Sequence, residues 1–285
     1  MKPSENTHTA AQRITRPSRR RVRVSVVIPT LNEAANLPHV FERLPSEGID
    51  EMILVDGHST DDTIEVARQL MPSIRVVMQD GKGKGNALAS GFAAARGDII
   101  VMIDADGSTD PEEIPAYVDA LLDGADFAKG SRFMDGGGSV DITPLRGMGN
   151  RFLNAIVNVL YRTKYTDLCY GYNAFWADVL PVINVDCAGF EVETLINVRI
   201  AKAGLDVVEV PSIEQERIHG VSKLHPIRDG LRVLRTILTE RFTKRTEAHD
   251  SGVPAVRELE YDADSSASLH DRLAQPLVTA QSLGR

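Results

Sequence analysis

The most constraining feature of the sequence is a short apolar run that ends abruptly at two acidic residues. Residues 99–103 read Ile-Ile-Val-Met-Ile and are followed by Asp104-Ala105-Asp106 and then by the turn residues of segment 107–111. Five successive apolar residues suit a strand that is buried on both faces, as in a parallel sheet. Side chains at the carboxyl end of such a strand lie where open α/β sheets bind ligands. The sequence therefore predicts a ligand site at Asp104 and Asp106.

The two carboxylates at this strand end are predicted to bind a divalent cation. Asp104 and Asp106 are one residue apart, so their charges repel each other unless a cation lies between them. Carboxylate oxygens are hard ligands, which suit Mg²⁺ or Mn²⁺. Such an ion in turn indicates a phosphorylated substrate. The alternative interpretation is a solvated, Asp-rich turn without a ligand.

The composition is that of an ordinary globular protein. The chain has 285 residues, of which 42% are hydrophobic and 25% charged. Its formal net charge of -8 gives no indication of a nucleic-acid partner. Two cysteines, Cys169 and Cys187, exclude a disulfide framework and fit a cytoplasmic location. No apolar run reaches the roughly 18 residues of a membrane span, so an integral membrane protein is not expected.

The chain divides into one central domain and two polar ends. Residues 1–21 are rich in arginine with a single acid, Glu5, and are predicted to be a disordered basic arm. The arm either has no role or contacts anionic lipid. Residues 22–242 are predicted to form one domain. Residues 243–285 are polar without sustained periodicity, which predicts a disordered tail.

Within residues 22–242, short apolar runs alternate with helical patterns of about ten residues. Strands are predicted at residues 24–28, 51–55, 74–78, 99–103, 125–129, 167–176 and 205–210. Helices are predicted over much of the intervening sequence, including residues 87–96, 112–123, 191–203 and 226–242. This alternation indicates an α/β fold with a mostly parallel central sheet and helices on both faces.

A glycine-rich basic loop follows the third predicted strand. Residues 80–86 read Asp-Gly-Lys-Gly-Lys-Gly-Asn. They match neither the dinucleotide fingerprint, because Asn86 and Leu88 stand where glycines are needed, nor a Walker loop, because no Ser or Thr follows a Gly-Lys pair. A basic loop leading into a helix N-terminus is a suitable diphosphate contact. A solvated turn is the alternative.

The last predicted helix, residues 226–242, is basic and amphipathic. Its apolar residues lie near one stripe, with arginines interleaved between them. A helix of this kind either packs its stripe on its own domain or lies on a membrane surface. The sequence leaves both interpretations open.

Seven motifs, taken in order, resemble family 2 glycosyltransferases with the GT-A fold, and within them the dolichol-phosphate (polyprenol-phosphate) mannosyl- and glucosyltransferases. The motifs are Pro29-Thr30-Leu31-Asn32-Glu33, segment 56–63, Gly83-Lys84-Gly85-Asn86-Ala87, Asp104-Ala105-Asp106, Gly130-Ser131-Arg132-Phe133, segment 167–172 and segment 217–223. Their order over residues 22–242 carries the resemblance. The resemblance implies a Rossmann-like GT-A domain that transfers a sugar, with inversion, from a nucleotide-diphosphate-sugar donor to a polyprenyl phosphate.

The resemblance also implies a role for individual residues. Those expected to be catalytic are Asp104 and Asp106, which would hold Mg²⁺ or Mn²⁺, and Arg132 and Arg146, which would hold the acceptor phosphate. Those expected to bind substrate are Pro29, Thr30, Glu33, Asp56, Gly83, Lys84, Asp167, Arg217, Ser222 and Lys223. A phosphate acceptor is already ionised at neutral pH and needs no general base. For a hydroxyl acceptor, the candidate bases are Glu191, Glu193 and Asp167.

Several points stay open at the level of sequence. The second motif reads Val-Asp-Gly-His where the family more often has Asp-Asp-Gly-Ser, so the nucleotide preference is not indicated. Ser108 and Asp110 are both candidates for a third metal contact. Transfer to a soluble hydroxyl acceptor and a catalytically silent nucleotide-sugar binding module are the alternative functions. Peripheral membrane contact on the cytoplasmic side and formation of a homodimer are also left open.

Overall fold

The structure, a computed structural model, describes residues 22–221, 224–243 and 257–258. Strands and helices alternate over most of this length. The strands are β1 (Val24–Thr30), β2 (Glu51–Asp56), β3 (Arg75–Met78), β4 (Ile99–Met102), β5 (Phe127–Ser131), β6 (Gly138–Ser139), β7 (Asn173–Trp176), β8 (Val207–Pro211), β9 (Ile213–Glu214) and β10 (Arg257–Glu258). The helices are α1 (Leu37–Glu42), α2 (Thr63–Leu70), α3 (Lys84–Ala94), α4 (Ile114–Leu122), α5 (Pro144–Tyr161), α6 (Leu180–Ile183), α7 (Val192–Ala203) and α8 (Pro226–Phe242).

Eight of the strands form one central sheet in the order β10-β3-β2-β1-β4-β7-β5-β8. The pairs β1–β2, β2–β3, β1–β4 and β5–β8 are parallel. Strand β7 runs antiparallel between β4 and β5, and β10 runs antiparallel to β3. Strands β6 and β9 form a separate parallel pair. The predicted mostly parallel α/β sheet is confirmed, with β7 as an antiparallel insertion that the sequence did not indicate.

The central strands are buried, and helix α3 packs closely against them. Every residue of β4 is at most 1% exposed, as the continuous apolar run predicts. Helix α3 lies close to β1 and β2, because a Cβ on Gly91 would meet Val27 at 2.4 Å and Val55 at 2.7 Å. Only glycine permits this approach. Because β1, β2 and β4 are parallel, their carboxyl ends lie at the same edge of the sheet, and the first residues of α3 line the cavity at that edge.

A second, smaller core joins α5, α7 and α8. Leu153 and Val157 of α5 pack with Val198 of α7 and with Val233 and Ile237 of α8. This contact confirms that part of the α8 stripe packs on the chain's own domain. Other apolar residues of α8 remain exposed, among them Ile227, Leu231, Leu238 and Phe242.

Two predicted elements differ from the observed ones. The strand predicted at 167–176 is restricted to β7, because the buried side chain of Asp167 hydrogen-bonds Arg132 and Asn150 and the backbone around it leaves the sheet. Within the tail predicted to be disordered, Arg257 and Glu258 instead form β10, and Glu258 pairs with Arg75 of β3. The rest of that tail beyond Thr243, and the basic arm 1–21, lie outside the described residues.

In the part of the chain that the structure describes, no helix combines the length and the apolar character needed to cross a bilayer.

Candidate active site

Two cavities open at the edge of the sheet where β1, β2 and β4 end. The first, here called the sheet-end cavity, has a volume of about 710 Å³ and is walled by the strand ends and the start of α3. The second, the helix cavity, has a volume of about 460 Å³ and is walled mainly by α5 and α8. The residues that line both cavities are Lys84, Asp104, Asp106, Phe190, Arg217 and Asp229. The acidic pair predicted from the sequence therefore lies where the cavities meet.

Asp104 is held by a lysine at the first position of α3. Lys84 Nζ lies 2.6 Å from Oδ1 of Asp104 and 2.7 Å from Oε1 of Glu193. Burial by itself would lower the pKa of Lys84, but the two carboxylates outweigh it and raise that pKa. Burial also raises the pKa of Glu193, against the influence of Lys84. Lys84 is therefore a fixed positive charge beneath the junction of the cavities.

Asp106 is bound by protein donors on both oxygens. Its Oδ1 accepts hydrogen bonds from the backbone N and the hydroxyl of Ser108, at 3.0 Å and 2.7 Å. Its Oδ2 lies 2.5 Å from Nη2 of Arg217, whose Nη1 is 3.4 Å from Oε1 of Glu33. Ser108 thus supports Asp106 directly. Asp110, the other candidate for a third metal contact, pairs with Arg43.

The chemistry of Asp104 and Asp106 fits a magnesium-type site. Mg²⁺ is usually bound through one or two carboxylates, with substrate phosphates and waters supplying its other oxygen ligands. Both aspartates line both cavities, so a phosphate could reach an ion held by them. Among the described residues, no group of three or more His, Cys, Asp or Glu side chains is arranged to hold an ion without such help.

The sheet-end cavity contains the residues expected to bind a nucleotide. Pro29, Thr30 and Glu33 line it, as does Gly57 beside the buried Asp56. Oδ2 of Asp56 accepts a hydrogen bond from Ser59 N at 2.8 Å. Oε1 of Gln79, on the cavity wall, is buried without a hydrogen-bond partner, and so is Oδ1 of Asp56, which is fully buried and does not line the cavity. Buried acceptors of this kind are costly unless a ligand supplies a donor. No motif in the sequence pointed to Gln79.

The glycine-rich loop reaches the same cavity through a close backbone contact. Gly83 has a φ of +90° and precedes α3, while Gly85 N donates a hydrogen bond to Ala188 O at 3.1 Å. A Cβ on Gly83 would lie 2.1 Å from Ala188 O, and one on Gly85 would lie 2.2 Å from Cys187 O. Glycine is required here so that segment 187–190 can cover the start of α3.

Both arginines expected to hold a phosphate line the helix cavity, and Arg146 is the more exposed of the two. Arg146 lies in the first turn of α5, lines the cavity and pairs through Nη1 with Asp141 at 2.9 Å. Its side chain is 24% exposed. Much of the surrounding wall is apolar and is formed by Ile142, Leu145, Leu153, Phe190, Ile227 and Val233. The wall also contains acids, among them Asp141, so Arg146 is the side chain at which an anionic group on an apolar molecule would be held.

The second arginine, Arg132, is placed differently from the expectation. Its guanidinium makes a two-point contact with Asp167, at 2.6 Å and 3.0 Å, and binds both oxygens of Glu214 at 3.0 Å. The Arg132 side chain is only 4% exposed, although it touches the cavity wall. This geometry favours a supporting role for Arg132, and its direct contact with a phosphate stays a prediction. Glu214 was missed because nothing in its local sequence indicates burial.

The remaining candidate residues are Asp167, Glu191, Ser222 and Lys223, and the structure describes only the first two. Asp167 is fully buried against Arg132 and lines neither cavity, so a contact with substrate or a role as a base does not fit its position. Glu191 lines only the sheet-end cavity and lies 3.6 Å from Arg232. Ser222 and Lys223 lie outside the described residues.

Comparison with known proteins agrees with this arrangement. Residues 25–196 match the family described as Glycosyl transferase family 2. Glycosyltransferase AglJ of Haloferax volcanii is 32% identical over 209 residues, which are 73% of this chain and 68% of that protein. The dolichol-phosphate mannosyltransferase of Pyrococcus furiosus is 34% identical, and the match covers 71% of this chain and 59% of that protein. The undecaprenyl-phosphate mannosyltransferase of Micrococcus luteus is 35% identical, with 71% and 88% covered.

A solved structure shares the fold. Glucosyl-3-phosphoglycerate synthase of Mycobacterium tuberculosis, in complex with Mg²⁺ and uridine diphosphate, is similar with a TM-score of 0.61 and 25% identity. The similarity covers 84% of this chain and 87% of that one. The GT-A fold inferred from the sequence motifs is therefore confirmed. Since the family match spans more than half of the chain and runs through the acidic pair at the junction of the cavities, the protein belongs to glycosyl transferase family 2.

Proposed function

We propose that the chain transfers a sugar, with inversion, from a nucleotide-diphosphate-sugar to the phosphate of a polyprenyl-phosphate lipid. The observation that carries this proposal is the helix cavity, whose wall contains Arg146 and apolar side chains as well as Asp104 and Asp106. A phosphate with a hydrocarbon tail matches this combination of charge and apolar wall. The names of the relatives from Pyrococcus furiosus and Micrococcus luteus, both lipid-phosphate mannosyltransferases, support the same acceptor class.

The donor is assigned to the sheet-end cavity. The unpartnered acceptor of Gln79 suits an N–H group of a nucleobase, while a contact of the buried Asp56 with the nucleotide stays a prediction. Lys82, Gly83 and Lys84 place the N-terminus of α3 at the cavity wall, where a diphosphate can bind. Asp104 and Asp106 would hold Mg²⁺ or Mn²⁺ against the diphosphate. When bound, such an ion supplies electrostatic stabilisation of the negative charge that develops on the leaving diphosphate.

The reaction itself needs only correct placement of the acceptor. An acceptor phosphate oxygen forms a bond to the anomeric carbon from the helix cavity, while the bond from that carbon to the diphosphate breaks and the nucleoside diphosphate leaves with the electron pair. Arg146 orients the acceptor phosphate by charge-assisted hydrogen bonds. No general base is required, because the phosphate is already ionised. The carboxylate of Glu193 is paired with Lys84 and has no role in this step.

We also propose that the surface around the helix cavity contacts the membrane that holds the lipid. Most of the large apolar side chains exposed on the described residues lie in segments 140–159 and 218–242, and the best exposed of them include Phe152, Val159, Leu231 and Phe242. Helices α5 and α8 contact each other, so these residues share one region of the surface. Interleaved arginines of α8 suit anionic head groups.

The test is a transfer assay with phase partition. The purified full chain is incubated with Mn²⁺ or Mg²⁺, radiolabelled UDP- or GDP-sugars and a short polyprenyl phosphate, and the mixture is extracted with butanol. We expect label in the organic phase that depends on the metal and on the lipid, and that is absent with Asp106→Asn. Label that stays in the aqueous phase with every donor would overturn the proposal.

A soluble phosphorylated acceptor is the second candidate. It is favoured by the similarity to glucosyl-3-phosphoglycerate synthase. The same assay with phosphoglycerate in place of the lipid separates the two candidates, because a sugar transferred to phosphoglycerate stays in the aqueous phase.

A further inference from the structure

We propose that Arg217 is the counter-ion of Asp106 in the free enzyme, and that a divalent metal binds Asp106 only by displacing it. This inference rests on the proposed function for the identity of the site as a metal-diphosphate site. The new element is that Arg217 and the metal compete for Asp106. Metal binding then depends on the nucleotide, because the nucleotide offers Arg217 another anion.

The geometry places the Arg217 guanidinium on the oxygen that the metal needs. Oδ1 of Asp106 is already bound twice by Ser108, so Oδ2 is the oxygen that remains for an ion. That oxygen lies 2.5 Å from Nη2 of Arg217, and the second carboxylate in reach of the guanidinium, that of Glu33, is 3.4 Å from Nη1. A divalent ion and a guanidinium at the same carboxylate oxygen repel each other.

Of the two cations at the junction, Arg217 is the one that can move. Lys84 belongs to the first turn of α3 and lies between two carboxylates, with 14% of its side chain exposed. The backbone beside Arg217 is held by hydrogen bonds from Gln215 N to Ser108 O and from Ile218 N to Asp106 O, but the Arg217 side chain itself is 25% exposed and can rotate towards the cavity. Arg217 can therefore leave Asp106 without disturbing the sheet, whereas Lys84 cannot leave Asp104 without uncovering two acids.

A nucleoside diphosphate supplies the compensation for this displacement. Arg217 lines both cavities, so the guanidinium remains beside the bound diphosphate after it leaves Asp106. Arginine binds phosphate oxygens in a two-point geometry that replaces the lost carboxylate contact. Metal and nucleotide should consequently bind with positive coupling, and the metal alone should bind weakly.

The experiment measures Mn²⁺ binding rather than sugar transfer. Free Mn²⁺ is followed by electron paramagnetic resonance as the ion is titrated into the full chain without nucleotide. We expect Arg217→Ala to bind Mn²⁺ about tenfold more tightly than the wild type, within the usual range for coupled sites. Arg217→Gln keeps a hydrogen-bonding side chain but removes the charge, so it is the second test variant if Arg217→Ala does not fold. It should also bind Mn²⁺ more tightly than the wild type. The control is Arg96→Ala, which removes a 65% exposed arginine next to the amino end of β4, at the opposite edge of the sheet.

Repeating the titration with UDP and with GDP completes the test. In the wild type, the preferred nucleotide should tighten Mn²⁺ binding by a larger factor than in Arg217→Ala, because the variant has no guanidinium to displace. If both Arg217 variants bind Mn²⁺ no more tightly than the wild type, and Arg96→Ala also binds it like the wild type, the role proposed for Arg217 is wrong. That outcome would leave the metal site of the proposed function standing. Absence of Mn²⁺ binding to the wild type under every condition would overturn the metal site of the proposed function as well.

Discussion

Lys84 Nζ bridges Asp104 and Glu193, at 2.6 Å from one carboxylate and 2.7 Å from the other, so one lysine separates two acids that would otherwise face each other. We predict that Lys84→Met lowers the free energy of unfolding by about 2–3 kcal/mol, somewhat less than a fully buried pair costs because the Asp104 side chain is 29% exposed. Adding Glu193→Gln should restore most of that loss, since only one acid then remains. Urea denaturation measures the free energy of unfolding of Lys84→Met and of the double variant. If both variants lose the same free energy relative to the wild type, Lys84 does not bridge the two acids.

The contact between the glycine-rich loop and segment 187–190 gives a second prediction. Gly85→Ala places a Cβ 2.2 Å from Cys187 O, which is a backbone atom and cannot rotate away. We expect loss of stability and weaker binding of nucleoside diphosphate, measured by thermal denaturation with and without UDP and GDP. The matched control is Gly147→Ala in α5, where a Cβ meets nothing within 4 Å. The control should stabilise the helix by about 0.5–1 kcal/mol.

The buried pair of Arg132 and Asp167 predicts a dependence of stability on pH. Burial by itself would raise the pKa of Asp167, but Arg132 outweighs it and holds that pKa below its ordinary value of 3.8. A carboxylate with a lowered folded-state pKa stabilises the fold fully above its unfolded-state pKa and loses this contribution as the pH falls through the folded-state pKa. The stabilisation by Asp167 should therefore be complete at neutral pH and decline below about pH 4.

The variant Asp167→Asn isolates this contribution. At neutral pH it leaves Arg132 with Glu214 alone and should cost about 3–5 kcal/mol, the usual effect of breaking a buried ion pair. As the pH falls below about 4, the difference between the free energies of unfolding of the variant and the wild type should shrink, and it should vanish only below the folded-state pKa of Asp167, where the wild-type acid is neutral too. Urea titrations across this pH range test the prediction, which a constant difference between the two proteins would contradict.

The exposed apolar residues of α5 and α8 predict binding to anionic membranes. Phe152→Glu and Leu231→Glu each place an acid on a surface that we expect to enter the lipid interface, and each should weaken binding to vesicles of anionic phospholipid about tenfold or more. Leu70→Glu is the matched control, because Leu70 is 45% exposed on α2, outside this surface. Co-sedimentation with vesicles measures the binding, and equal behaviour of the three variants would argue against a contact through α5 and α8.

Much of the fold could be read from local sequence. The run at 99–103, the turn residues after it and the glycine-rich loop placed β4, the acidic pair and the start of α3 close to where they lie. Hydrophobic periodicity and turn chemistry act over a few residues, so they are visible without knowledge of the fold. The same reasoning failed at 167–172, where the buried pairing of Asp167 with a distant arginine keeps an apparently strand-like segment out of the sheet.

The amino-acid sequence by itself determined the α/β class, the position of the acidic pair at a strand end and the motifs that identify the family. The tertiary structure decided which charges face one another: Arg217 reaches Asp106 across 111 residues, and Glu214 reaches Arg132 across 82. No local pattern encodes such pairs, because an arginine on a loop and a glutamate on a short strand have the same sequence signature whether they are solvated or buried. Their roles follow only from the packing that excludes water between them.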